Sequence, residues 1–305
     1  MGTRMQPLTL TTPKPMLPLL GKPITEHQII KAKEAGITEI VLATSYLSDI
    51  FIPYFGNGEK FGIKISYAVE ESALGTGGAI RNAAALLEGD GPVMIFNGDV
   101  LSSHSLKDQI AFHQNQSADV TLYLTEVLDA RAFGVVEMSG DFIKSFNEKM
   151  DTPPTNIINA GCYIFNRAVI DEIPAGRVVS VERETFPVLL SRNARVAGFI
   201  DNSYWLDIGN PGALLKATRD LIEASGHQMA QGKGSTIDPA AVVDDGTYIG
   251  AQAIVGAGSQ LHQCIIGEGA TIGEKVQLTR TFVASGARIE PNTVAIDEFF
   301  GFSPE

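Results

Sequence analysis

Cysteine and tryptophan are nearly absent from these 305 residues: two of the first, one of the second. Cys162 and Cys264 cannot build a disulfide framework and show no metal-site spacing, so both read as small hydrophobes in their apolar runs. No apolar run approaches the ~18 residues that a membrane-crossing helix needs, and no secretory signal pattern opens the chain. The expected compartment is the cytoplasm. Positive charge is also short, with 23 Lys and Arg against 35 Asp and Glu. That balance argues against nucleic acid and anionic membrane as partners. One stretch departs from it: residues 1–35 hold Arg4, Lys14, Lys22, Lys31 and Lys33 against Glu26 and Glu34, a local net of +3. A basic opening on an acidic chain marks a candidate anion site. No histidine stands in a nucleophilic constellation with a Ser or Cys.

From residue 24 to about 225, helical and strand patterns alternate. Ile24–Ala35 predicts a helix closed by Gly36, followed by strands at Ile37–Ala43 and Ile63–Val69. A helix over Gly78–Leu87, a short apolar strand at Val93–Phe96 and a helix at Leu106–Asn115 come next. Strands follow at Asp119–Val127, Phe133–Glu137, Phe142–Phe146 and Gly161–Phe165, and a helix over Gly212–Ala224 closes the run. This alternation predicts a Rossmann-like α/β domain with a mainly parallel sheet, whose ligands bind at the carboxyl ends of strands. After about residue 230 glycine rises and an aliphatic residue recurs every six positions: Ile237, Val243, Ile249, Val255 and Leu261, then Ile266, Ile272, Leu278, Val283 and Ile289 with two steps of five. That is the period of a parallel β-helix of hexapeptide repeats. The expected domains are therefore 1–230 and 231–305.

Several segments carry chemistry. Gly2-Thr3-Arg4 and Pro13-Lys14-Pro15 combine a glycine turn, two cations and stiffening prolines, a composition suited to a polyphosphate. Leu74-Gly75-Thr76-Gly77-Gly78 opens a helix with donors and room for a flat base against backbone. Asp99 follows Asn97-Gly98 at the end of an apolar strand, and Asp207 follows Trp205-Leu206. Carboxylates so placed suit magnesium, which takes one or two of them plus phosphate oxygens and water. Glu148 can accept two hydroxyls and Lys149 can reach a phosphate. Each also has an ordinary reading: a turn aspartate, a loop glycine, a surface ion pair.

Taken together and in this order, the segments resemble the sugar nucleotidyltransferase family, whose signature loop runs Gly-x-Gly-Thr-Arg-x-x-Pro-x-Thr and then Pro-Lys-Pro. The likeness continues through Leu74–Gly78, Asn97-Gly98-Asp99, Glu148-Lys149, Asn159-Ala160-Gly161 and Trp205–Gly209, so it covers residues 2–225. The tail is similar to the left-handed β-helix that many members append. The resemblance implies catalytic roles for Arg4, Lys14 and Asp99, and nucleotide contacts from Gly2, Thr3, Arg4, Lys14, Leu74, Gly75, Thr76, Asn97, Gly98 and Asp99. It implies sugar-phosphate contacts from Glu148, Lys149, Asn159, Gly161 and Glu182, and Mg²⁺ on Asp99 and Asp207. Asn159–Tyr163 and Val181–Pro187 look most like the members that act on GTP and mannose 1-phosphate. The implied reaction joins an NTP and a sugar 1-phosphate into an NDP-sugar and pyrophosphate.

One departure concerns the start. Family members carry a strand ending in Gly-Gly immediately before the position of Met1, and this sequence does not. The expectation is a start further upstream, with low stability and little activity for the 305 residues as they stand. Other readings remain open: a glucose-1-phosphate thymidylyl- or uridylyltransferase, a non-catalytic relative that binds NDP-sugar, and, from the coil and His262, a hexapeptide acyltransferase. The open end of the coil predicts a homo-oligomer.

Overall fold

A computed structural model describes residues 3–44, 48–70 and 72–302. The chain opens with single 3₁₀ turns over Thr3–Met5 and Lys14–Met16 and a tight hairpin of β1 (Pro18–Leu19) and β2 (Lys22–Pro23). Then come α1 (Ile24–Glu34), β3 (Glu39–Thr44), α2 (Ser48–Phe55), β4 (Lys64–Val69), α3 (Gly75–Ala84), β5 (Val93–Phe96) and β6 (Val100–Ser102). They are followed by α4 (Leu106–Asn115), β7 (Val120–Glu126), β8 (Gly134–Ser139), β9 (Phe142–Glu148), β10 (Ile157–Phe165) and α5 (Arg167–Asp171). Next are α6 (Phe186–Ser191), β11 (Val196–Ile200), β12 (Trp205–Asp207) and α7 (Pro211–Ala224). Strands of two or three residues, from β13 (Met229–Gln231) to β25 (Phe299–Phe300), complete the chain. Among the described residues no helix is long and apolar enough to cross a membrane.

Contacts divide the chain into two compact units, Gln28–Trp205 and the pair of segments Met1–His27 and Leu206–Glu305. In Gln28–Trp205 a six-stranded sheet runs β5-β10-β7-β11-β9-β8, with β8 also touching β10 at Val135↔Ile158. β7 pairs with β11 in parallel, and β3 with β4 in parallel as a separate sheet. Among the described residues most ladders are parallel, chiefly in the coil as its repeats predict; within the six-stranded sheet only β7–β11 is parallel, which departs from the mainly parallel sheet that the alternation predicts. The antiparallel pairs gather where β8, β9 and β10 follow one another without intervening helices, since a parallel pair needs a long crossover. β7 serves two cores. Val120, Leu122 and Leu124 pack with Phe165, Ile170, Val181 and Phe186, while Tyr123, on the opposite face, packs with Leu106, Ala160 and Cys162. A strand buried on both faces can contribute about 1.5–3 kcal/mol per large apolar side chain.

Local chemistry fixes the helix ends. Ser105 Oγ caps α4 by accepting from Asp108 N at 3.2 Å, and Asn210 Oδ1 caps α7 from Ala213 N at 2.9 Å. α3 begins at Gly75, three residues before the periodicity suggests, because its first turn is held from outside the helix. Gly77 N and Gly78 N donate to Val179 O at 2.8 and 3.4 Å.

The other unit contains the coil. Its inward aliphatics form columns one coil apart: Ile237–Val255–Ile272–Ile289, Val243–Leu261–Leu278 and Ile249–Ile266–Val283. Ile249, Val255, Leu261, Ile266, Ile272 and Leu278 are at most 1% exposed. The same unit holds the N-terminal loop, the β1–β2 hairpin, β12 from Leu206 onward and α7.

Candidate active site

The two units each carry part of the predicted site. In the coil unit the loop is not a solvated tail. Met5, Leu8, Met16, Leu17 and Leu19 are buried, Thr25 Oγ1 donates to Pro15 O at 3.0 Å, and Ile24 N donates to Leu17 O at 3.2 Å. These pegs leave Arg4 exposed and place Lys14 Nζ 3.9 Å from Asp207 Oδ1, with 17% and 31% of the two side chains accessible. Thr3 lies in the first turn; Gly2 falls outside the described residues.

In Gln28–Trp205 the glycine turn is zipped to the segment that carries Glu182. Leu74 O accepts from Val179 N at 2.8 Å. Thr76 Oγ1 donates to Glu182 Oε2 at 2.8 Å while accepting from Val181 N at 2.8 Å. Ser180 Oγ also donates to Glu182 Oε2, at 3.0 Å. Gly75 has φ +71°, and a Cβ there would stand 2.6 Å from Val179 O, so this position needs glycine twice over. Glu182 sits on a π-helical turn over Val181–Thr185, an element common at functional sites.

A second assembly joins the Asp99 turn to β10. Asn97 N donates to Gly161 O at 2.8 Å. Gly161 has φ +77°, and a Cβ there would lie 2.8 Å from Asn97 Nδ2. Asn159 Oδ1 accepts from Gly161 N at 3.1 Å, and Asn159 Nδ2 donates to the Tyr163 hydroxyl at 2.8 Å. The β10–β7 register shifts between Asn159 and Tyr163, the kind of irregularity that re-aims side chains beside active sites. Gly98 and Asp99 occupy the turn itself, with Asp99 half-buried.

Glu148 ends β9 opposite Gly134, whose Cβ would stand 3.1 Å from Glu148 Oε2. Lys149, just past the strand, has φ +50°, a conformation a lysine rarely adopts. Its ammonium lies 3.8 Å from Glu148 Oε1 and is mostly exposed. The geometry thus brings together Thr76 with Glu182, Asn97 with Asn159 and Gly161, Glu148 with Lys149, and Lys14 with Asp207.

A family model described as Nucleotidyl transferase matches residues 1–224. The chain belongs to this family. A mannose-1-phosphate guanylyltransferase of Mycobacterium tuberculosis is 44% identical over 282 residues, covering 89% of this chain and 78% of the relative. A mannose-1-phosphate guanyltransferase of Pichia angusta is 34% identical over 261 residues, covering 80% and 71%. Among solved structures, HddC from Yersinia pseudotuberculosis complexed with GMP-PN superposes with a TM-score of 0.62 at 27% identity, covering 72% of this chain and 95% of that one.

Beside the Asp99 turn lies a polar layer that sequence reasoning missed. Gln28 Nε2 donates to Asn97 O at 2.8 Å and Val100 O at 2.9 Å. Lys31 Nζ donates to Ser102 O at 2.8 Å, Ser102 Oγ at 3.1 Å and His104 Nδ1 at 3.1 Å. With Nδ1 accepting, His104 Nε2 carries the hydrogen, and it lies 3.1 Å from Gln109 Oε1. The ring stacks on Tyr123 with centroids 3.7 Å apart. Burial, and then the Lys31 charge, lower the His104 pKa to about 4. Burial lowers that of Lys31 to about 8, with Cys162 and Asp201 opposing. His113 is likewise satisfied, its Nδ1 2.8 Å from Thr121 Oγ1. The only signal for this layer was a run of polar residues on α1, which reads equally as a solvent face.

Proposed function

We propose that the chain transfers a guanylyl group from GTP to mannose 1-phosphate, releasing pyrophosphate and giving GDP-mannose. The observation that carries this reading is the junction of the Asp99 turn with the Asn159–Gly161 bulge, which makes the elements assigned to nucleotide and sugar one hydrogen-bonded structure. The relatives named for that reaction support the choice of base and sugar.

An oxygen of the sugar phosphate forms the new bond to the α-phosphorus of GTP as the α–β bridging bond breaks and pyrophosphate leaves. That oxygen is anionic at neutral pH, so no general base is required. The work is positioning and charge neutralisation. Leu74, Gly75 and Thr76 hold the base, with Gly2, Thr3, Asn97 and Gly98 along the rest of the nucleotide. Arg4 and Lys14 take charge on the departing pyrophosphate. Glu148, Asn159, Gly161 and Glu182 hold the sugar, and Lys149 meets its phosphate. Asp99 and Asp207 fit Mg²⁺ as hard oxygen donors. Two carboxylates would suit an ion that takes its remaining ligands from phosphate oxygens and water. When bound, the ion neutralises charge on the phosphates. The reaction belongs to residues 1–230, with 231–305 as scaffold and self-association module.

Pyrophosphate release, screened across NTPs and sugar phosphates, tests the reading. GTP with mannose 1-phosphate should exceed every other pair, and a preference for dTTP or UTP with glucose 1-phosphate would replace it. Asp99→Asn and Asp207→Asn should each lower kcat by at least ~10²-fold with the fold intact. Near-normal turnover at saturating Mg²⁺ removes that residue from the metal site.

A further inference from the structure

Asp99 is the third residue of a turn, Asn97–Val100, whose closing bond from Val100 N to Asn97 O is 3.3 Å long, beyond the usual N–H···O range. Further bonds to the turn's backbone come from elsewhere in the unit. Asn97 N is bound to Gly161 O. The Asn97 and Val100 carbonyls both receive Gln28 Nε2, and the Ser102 carbonyl receives Lys31 Nζ. Gln28 and Lys31 stand three residues apart on α1 and so share a face. One carboxamide therefore spends both its hydrogens on the two ends of the turn. A glutamate of the same size has no hydrogen to offer, and two carbonyl dipoles would confront its charge.

We propose that Gln28 is a positioning residue for the reaction, pinning the Asn97–Val100 turn so that the Asp99 carboxylate is set before substrate arrives. This rests on the role given to Asp99 above. Misplacement of a reacting group by about 1 Å can lower turnover roughly 10²-fold, so a small slackening of the turn has a large kinetic consequence.

The test compares Gln28→Met and Gln28→Glu with wild type in the full chain. Amide hydrogen exchange of residues 97–102, measured without ligand, should quicken at least ~10-fold in both variants while β7 stays protected, as local opening requires. Mn²⁺ binding in the presence of GTP, followed by electron paramagnetic resonance, should weaken. In turnover, kcat should fall ~10–10²-fold and the apparent Mg²⁺ constant should rise, with the KM for mannose 1-phosphate unchanged. Unchanged exchange at 97–102, or a folded variant with wild-type kcat and metal constant, overturns the proposal. So does a general loss of fold in both variants, which would make Gln28 a structural residue only. The function reading fails separately: were Asp99→Asn fully active, the exchange data would still decide whether Gln28 pins the turn.

Discussion

Acidification should loosen the Gln28–Trp205 unit through one side chain. His104 is 1% exposed, its Nδ1 facing Lys31 Nζ and Ser102 Oγ and its Nε2 facing Gln109. Burial, and then the neighbouring ammonium, hold its pKa at about 4 in the folded protein, against 6.5 for the free side chain. Between those values the unfolded chain binds a proton that the folded chain refuses, so stability is fully present above about pH 6.5 and is lost as pH falls toward 4. The full difference corresponds to about 3 kcal/mol, and about 2 kcal/mol of it should be gone by pH 5. That window lies above most carboxylate titrations. Trp205, the one tryptophan, donates Nε1–H to Ala160 O at 2.9 Å and packs edge-on against Phe133, so its fluorescence reports on this unit. Urea unfolding of wild type and His104→Gln at pH 7.5, 6 and 5 gives the answer by difference, because His27 and His113 titrate alike in both. Wild type should lose about 2 kcal/mol more than the variant. Parallel pH profiles would refute the account, since they would mean that His104 titrates alike in folded and unfolded chains.

Other outcomes follow from single contacts. Gly161→Ala places a Cβ 2.8 Å from Asn97 Nδ2 at φ +77°; it should cost about 1–2 kcal/mol by backbone strain alone and depress turnover further, read by denaturation and pyrophosphate release. Thr76→Val removes the bonds to Glu182 and Val181 and should raise the KM for GTP, whereas Thr76→Ser should restore it. In the coil, Ile266→Ala should destabilise by about 2–5 kcal/mol and Ile272→Val by about 1, while Ile254→Ala, at a half-exposed position, should stay within about 0.5. Light scattering should find self-association, driven by exposed Val242, Ile254, Val294 and Ile296 on the coil; a monomer at micromolar concentration counts against it.

What the sequence made legible was what its neighbours decide. The coil's inward residues were readable because each repeat buries its own aliphatic. Even the two five-residue steps have a structural meaning: Val243 pairs with Leu261, 18 residues on, but Leu261 pairs with Leu278, 17 on. The start of α3 was not readable, since Gly75–Gly78 carry no apolar period and the acceptor that organises them is Val179. α2 also escaped, because Ser48–Phe55 is apolar without a helical period and contains Pro53. Gln28 was invisible for the same reason on a longer scale. Its two acceptors lie 69 and 72 residues away, and nothing local distinguishes it from a solvent-facing glutamine.

The placement of Lys14 shows how far such long-range ties reach. Its loop runs directly into the β1–β2 hairpin, whose turn places Leu20 and Gly21 at φ +51° and +77°. Gly21 lies under Tyr248 of the coil, so closely that a Cβ there would be 2.2 Å from the Tyr248 hydroxyl oxygen. His27 Nε2 meets Leu19 O at 2.9 Å, so the hairpin is held at both ends. The loop bearing Lys14 and the coil therefore share one packed unit, and a tail that reads from its repeats as an appendage is part of the support for the cations proposed to meet the pyrophosphate. A Gly21→Ala substitution should disturb the loop through Tyr248 and lower turnover, and pairing it with Tyr248→Ala, which vacates the space, should recover part of the loss. Failure of the second change to help would assign the defect to the positive φ alone, because space and backbone strain are the two demands this glycine meets.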